Sequence, residues 1–270
     1  MNTARTISAL VSGAFLAGAV LSGPTAFAAD ESPSEILGAE EIAEIKEASD
    51  PDPFTPAEIR AAHAESAAKE SVAEQSLAKA SRAQGEFGTM DLPAPLPASA
   101  YLAANHVAQS YSNYCGPATA RMVLLHQGKN YSQATLASRF GITPGNGGTS
   151  WASMLSALKN LSGVPYAGEF LAYSPSAEDK NTYKARLKLD IAHYKDSIAG
   201  NVWEVVGGPH LPGHPNKEIF HWVNIRGYKE SGAYSQVQDP ATSVWSGVPA
   251  QSPVNSNTLV TMMGGRGYQW

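Results

Sequence analysis

The chain has 270 residues, 43% of them hydrophobic, a formal net charge of −5 and a single cysteine. That length suits one large domain or two small ones, and one cysteine excludes an internal disulfide framework. The thirteen basic residues from Ser99 onward are scattered, which argues against nucleic acid as a partner, because a nucleic-acid surface needs clustered lysine and arginine.

Charge is uneven along the chain. Asp30 to Ala98 carries fifteen acidic and five basic residues, whereas Ser99 to Trp270 carries nine acidic and thirteen basic. Ahead of both lies an export signature: Arg5, an apolar run from Ile7 to Leu21, and the small-x-small site Ala26-Phe27-Ala28. The run is too short to span a membrane and the lone arginine makes no twin-arginine signal. Residues 1–28 are therefore expected to be a signal peptide. The mature chain is expected to be secreted, extracellular or cell-wall associated, with no membrane span after signal removal.

Residues 29–98 are rich in Ala, Glu, Ser and Pro. Ile36, Leu37, Ile42 and Ile45 form one amphipathic set, and Thr55-Pro-Ala-Glu58 is a helix-start signature leading to about Arg82. Large apolar residues are sparse there, with Ile59, Val72 and Leu77 spread over more than twenty positions. The composition favours a solvated spacer. The sharper alternative is an acidic pro-segment that folds onto the more basic C-terminal domain and covers its cleft. Leu92 to Pro97 ends the region as a polyproline-type linker.

Residues 99–270 read as one α+β domain. Tyr101 to Val107 is a short strand or an extended lead-in. A helix begins at Cys115, where Gly116-Pro117 suits a first turn and Ala118, Ala120, Met122, Val123, Leu124 and Leu125 supply a buried run. Ser132 caps a second helix that ends at Gly141, and a third runs from Ser150 to Leu161. Glu178 to Ile198 reads as a longer helix with Tyr183, Leu187, Ile191 and Tyr194 at helical spacing. The β half is expected from Asn201, with strands Ile219 to Tyr228 and Tyr234 to Asp239 around a turn at Lys229 to Ala233.

An exported thiol with no partner in its own chain is a liability unless it is buried, pairs between chains or does chemistry. Cys115 sits where unpaired N–H groups and the positive end of a helix favour the thiolate. Pairing the hairpin symmetrically sets Ile225 opposite Ser235, Val223 opposite Val237 and His221 opposite Asp239. A carboxylate beside an imidazole is the orienting group of a catalytic triad.

Tyr114-Cys-Gly-Pro-Ala-Thr-Ala-Arg-Met-Val-Leu124, with Gln109 six residues before the cysteine, resembles the nucleophile motif of the bacteriocin-processing-like cysteine peptidases, family thirty-nine of the papain-like superfamily. His221-Trp-Val-Asn-Ile-Arg-Gly-Tyr228 and Val237-Gln-Asp-Pro240 resemble that family's histidine strand and Asp-Pro segment. The resemblance spans about residues 101 to 265. It implies a papain-like fold, a helical half carrying the nucleophile packed on an antiparallel sheet carrying histidine and aspartate. It further implies Cys115 as nucleophile, His221 as general base and acid, Asp239 as orienting carboxylate, Gln109 as oxyanion donor, and a peptide or protein as substrate. The transporter-associated members are fused to membrane-spanning and nucleotide-binding parts, which nothing in this sequence resembles. Cleavage of a double-glycine leader is therefore not implied.

The same residues suit a papain-like acyl transferase or cell-wall amidase, or an inactive binding module of the same fold. Intact Cys115, His221 and Asp239 argue against the last. The metal alternative is His210-Leu-Pro-Gly-His214 with His221, but the spacing falls on a Pro/Gly loop with no accompanying cysteine or carboxylate cluster, so neither metal nor cofactor is expected. That loop reads as a cleft rim, with His63, His106, His126 and His193 as surface or boundary residues.

Overall fold

Helix α3 (Cys115–His126) begins at the cysteine itself and buries Ala118, Ala120, Met122, Val123 and Leu124. Its cap residue, Tyr114, supplies no side-chain acceptor, so the first-turn N–H groups stay available to an anion. Helix α4 (Gln133–Phe140) is capped by the Ser132 hydroxyl, which accepts from Thr135 N, and it stops at Gly141 with φ 69°. Helix α5 (Trp151–Leu161) is capped in the same way by Ser150. These three helices share a core of Val123, Leu124, Leu136, Phe140, Met154 and Leu158.

The computed structural model describes residues 37–84 and 96–270. The export signal read at 1–28 and most of the Pro-rich linker lie outside the described residues, which all belong to one compact unit. The strands are β1 (Ala100–Tyr101), β2 (Gly168–Phe170), β3 (Ile198–Glu204), β4 (Ile219–Lys229), β5 (Tyr234–Gln238), β6 (Gln251–Asn255) and β7 (Gly267–Gln269). They make one seven-stranded sheet in the order β2-β7-β3-β4-β5-β6, with β1 against β4 and every pairing antiparallel. Helices α6 (Ala177–Lys188) and α7 (Ser256–Met262) pack on the sheet through Tyr183, Leu187 and Leu259 against Val202, Val223, Ile225 and Val237. The Thr119 hydroxyl donates to the Trp222 carbonyl at 2.9 Å and ties α3 to β4. A helix headed by the cysteine thus packs on an antiparallel sheet that carries His221, with Asp239 just past the end of β5. Among the described residues, no helix is long and apolar enough to cross a membrane.

Three expectations need correction. The helix expected from Glu178 to Ile198 ends at Lys188; a π turn over Leu189–Tyr194 follows, and the strand begins at Ile198. The hairpin is tighter than symmetric pairing assumes, because Glu230, Ser231 and Gly232 all take positive φ and bring Lys229 opposite Tyr234. With a bulge between Ile225 and Gly227, Ile225 then faces Val237 rather than Ser235. Asp239 continues β5 to a point opposite Val223, so it meets His221 diagonally on one face, a separation long side chains still bridge.

The third correction concerns the solvated spacer. Residues 37–84 form α1 (Ala39–Ser49) and α2 (Pro56–Gln84), both docked on the rest of the chain. Lys46 is 1% exposed and donates to the carbonyls of Thr261, Met262 and Gly264 at 3.2, 3.2 and 3.0 Å. Lys69 pairs with buried Asp190 at 2.9 Å, and the Ser66 hydroxyl donates to the Gly168 carbonyl while accepting from Trp270 Nε1. Ala62, Ala73 and Ile42 complete the contact. Docking through alanines, a serine and buried lysines leaves no mark in a count of large apolar residues.

Candidate active site

Cys115 is the first residue of α3, packed against the β4 backbone beside His221 and Trp222. Burial works against a charged sulfur, but hydrogen bonding and charge from His221, with the backbone N–H groups of Trp222 and Gly116, outweigh it. The thiol is thereby held below its ordinary value. Gly116 is required at this point, since a Cβ there would lie 2.0 Å from the Thr149 hydroxyl oxygen.

His221 Nε2 lies 2.9 Å from Asp239 Oδ1, which leaves Nδ1 for the sulfur. Burial would discharge this imidazole, but Asp239 and the sulfur push its pKa well up instead. Burial likewise opposes ionised Asp239, yet His221 and His214 hold its carboxyl below the usual carboxylate range. Each group thus favours the charged form of the other, thiolate beside imidazolium. Asp239 is itself fixed by Ala241 N, which donates to Oδ1 at 2.8 Å and closes the short turn Pro240–Ser243.

The loop expected to be a cleft rim instead turns His214 into the interior, with its ring fully buried. His214 Nε2 is 2.9 Å from Asp239 Oδ2, and its Nδ1 is 3.0 Å from Glu204 Oε2 on β3. Burial opposes the imidazolium, and the two carboxylates outweigh burial, so its pKa is raised. Leu211 N donates to Glu204 Oε1 at 2.9 Å and fastens the loop to the same carboxylate. His210 stays on backbone carbonyls, those of Gly208 and Lys217. Ligand atoms of His214, His221 and Asp239 lie within 4.8 Å of one another, a donor set a metal ion could use. Each ring, however, already presents a nitrogen to its own oxygen of Asp239 at 2.9 Å, His221 in a hydrogen bond and His214 at ion-pair distance. Sequence reasoning saw His214 only as half of a doubtful metal motif; Glu204 carried no signal.

Gln109 is 3% exposed and sits beside the aspartate turn, its backbone N donating to the Pro240 carbonyl. Its side-chain amide donates to the carbonyls of Tyr111 and Ser112 at 2.9 and 2.8 Å. Both amide hydrogens are thus held by the loop that leads into Cys115.

A model described as the Peptidase_C39 like family matches residues 101–258, more than half of the chain. The chain belongs to that family. No curated protein matches it. Among solved structures, it is similar to the peptidase domain of Streptococcus ComA, described as a bi-functional ABC transporter involved in quorum sensing, at 18% identity and TM-score 0.41, over 62% of this chain and 96% of that one. A double glycine motif protease from an AMS/PCAT transporter, solved with its leader peptide, matches at 17% identity and TM-score 0.38, over 63% and 91%. Digestive procathepsin L 3 of Tenebrio molitor matches at 16% and 0.41, over 68% and 72%.

In this member of the cysteine peptidase family, a cavity of about 170 Å³ opens at Cys115. Gly148, Thr149, Trp151, Asn201, Phe220, Trp222 and Arg266 line it, together with Asp52 and Phe54 from the connection between α1 and α2. Trp222 Nε1 donates to the Thr149 carbonyl and holds that wall. Thr149 Oγ1 and Trp151 Nε1 are buried polar atoms without a hydrogen-bond partner, both in the cavity wall.

Proposed function

We propose that the chain is an exported cysteine peptidase that hydrolyses peptide bonds with Cys115, His221 and Asp239. The Cys115 thiolate attacks the carbonyl carbon of the scissile amide, and His221 passes its Nδ1 proton to the departing amine, leaving a thioester on sulfur. Water then loses a proton to His221 and attacks the thioester; the acid product leaves and the thiolate returns. Asp239 keeps the imidazole oriented through both halves and stabilises it whenever it carries the extra proton.

The oxyanion of each tetrahedral stage faces the start of α3, where the Cys115 backbone N–H serves as one donor. Gln109 becomes the second when the Tyr111 or Ser112 carbonyl releases one of its amide hydrogens, a contribution of roughly 3 kcal/mol per donor in comparable sites. Export rests on the charged start, apolar run and small-x-small site of residues 1–28.

The observation that supports this reading most strongly is the unbroken contact from the thiol, which lines a cavity, through His221 to Asp239. Incubating the protein and Cys115→Ala with a peptide library, read by mass spectrometry, tests it. Cleavage by the parent chain is expected to vanish in the variant while the thermal midpoint stays within about 2 °C, since a thiol-to-methyl change removes little packing. Cleavage that persists without the sulfur would assign the hydrolysis elsewhere.

A further inference from the structure

Arg266 takes no part in the triad, yet it lines the same cavity as Cys115. Its side chain is 7% exposed, and the guanidinium lies 4.6 Å from the Trp203 ring centroid and 5.1 Å from that of Phe220. Two of its nitrogens donate to the two oxygens of Asp50 at 3.0 and 2.9 Å, the bidentate fit of a guanidinium to a carboxylate. Among the described residues, Asp50 is the only carboxylate paired with Arg266.

Asp50 comes from outside the catalytic half of the chain. It ends α1 and starts Asp50-Pro-Asp-Pro-Phe-Thr55, which crosses to α2 with no helix or strand of its own. Asp52 and Phe54 reach the cavity wall beside Cys115, and the Phe54 ring centroid lies 3.6 Å from that of Phe170 in a tilted contact and 5.9 Å from that of Trp151 edge-on. A short non-helical segment, acidic at one end and aromatic four positions later, therefore lies along the cleft where a peptide substrate has to lie.

We infer that Arg266, framed by Trp203 and Phe220, is a carboxylate-binding subsite of the substrate cleft, next to an aromatic subsite at Trp151 and Phe170, and that residues 50–54 hold both as a substrate-like occupant. The inference rests on the peptidase reading and names its substrate class: peptides with an acidic side chain followed four residues later by an aromatic one. An arginine this buried is costly without a carboxylate partner. The partner here belongs to a connection with no helix or strand of its own, and an Asp or Glu of a peptide presents the same two oxygens. Pro51 and Pro53 fix φ in the connection, lowering the ordering cost of holding it in the cleft.

The test uses the full chain with Asp50→Asn and Phe54→Ala, and two synthetic peptides. One peptide spans residues 48–56; the other is identical but carries Asn where Asp50 stands. Alkylation of Cys115 by iodoacetamide reports access to the cleft, and tryptophan fluorescence reports peptide binding independently of the thiol. Each variant is expected to raise the alkylation rate about tenfold, and the acidic peptide to restore protection at least about tenfold more tightly than its Asn counterpart. Phe54→Ala leaves the ion pair intact, so it keeps the question answerable if Asp50→Asn folds poorly. Unchanged rates in the variants, or equal protection by both peptides, would overturn the subsite. A thiol no more reactive than free cysteine in every variant would instead count against the peptidase reading, with peptide binding by fluorescence still deciding the subsite.

Discussion

Asp239 serves two imidazoles at once, one through each carboxylate oxygen, and that arrangement decides how firmly His221 is held. With His214 bridging to Glu204, the aspartate cannot rotate away from His221 without breaking a second buried ion pair. His214→Gln is expected to lower kcat about tenfold, or about 1.4 kcal/mol in the barrier, with KM changed less than about twofold, because substrate does not touch His214. Steady-state kinetics on a peptide substrate checks it; a rise in KM at constant kcat would place His214 in binding instead. At this scale Cys115, His221 and Asp239 could be read from the sequence because each carries a local motif. Glu204 and His214 could not, since their pairing depends on a Pro/Gly loop folding inward, and the committed amide of Gln109 depends on the turn at Tyr111 and Ser112.

The elements around the site were legible where local chemistry sets them. Ser132 and Ser150 cap, Gly141 stops a helix, and Cys115 to Leu125 is a nearly continuous run of small and apolar residues, as suits a helix buried on most sides. The β4–β5 register was less so, because two non-glycine residues at positive φ tighten the turn and no sequence rule favours Glu230 and Ser231 there. Helix α1 docks by a lysine rather than by an apolar stripe, which gives its attachment an unusual pH dependence. Burial lowers Lys46 from 10.5 to about 7, with Arg266 adding to the effect and Glu204 opposing it. Between those values the unfolded chain keeps a proton that the folded chain has lost, so stability rises with pH. The thermal midpoint is expected to gain from pH 7 to pH 10 relative to Lys46→Met. A midpoint difference that falls or stays flat over that range would contradict the assignment.

Across the whole molecule, an acidic N-terminal segment lies on a more basic domain, with Glu65 on Lys159, Glu70 on Arg186 and Asp50 on Arg266. The charge asymmetry in the sequence is thus a map of contacts, although composition alone pointed toward a solvated spacer. Loosening this layer without unfolding the domain is expected when Lys69→Met strips Asp190 of its buried partner, at a cost of about 3 kcal/mol. Limited proteolysis should then cut within residues 37–84 first; loss of the whole fold at once would show that the layer is not separable. The central claim is that Cys115 and His221 form a thiolate–imidazolium pair, and the pH dependence of Cys115 alkylation tests it most directly. In the parent chain the rate should hold well below the ordinary thiol pKa of about 8.5, whereas in His221→Asn it should fall off near that value. Identical profiles for the two proteins, both centred near about 8.5, would contradict the account.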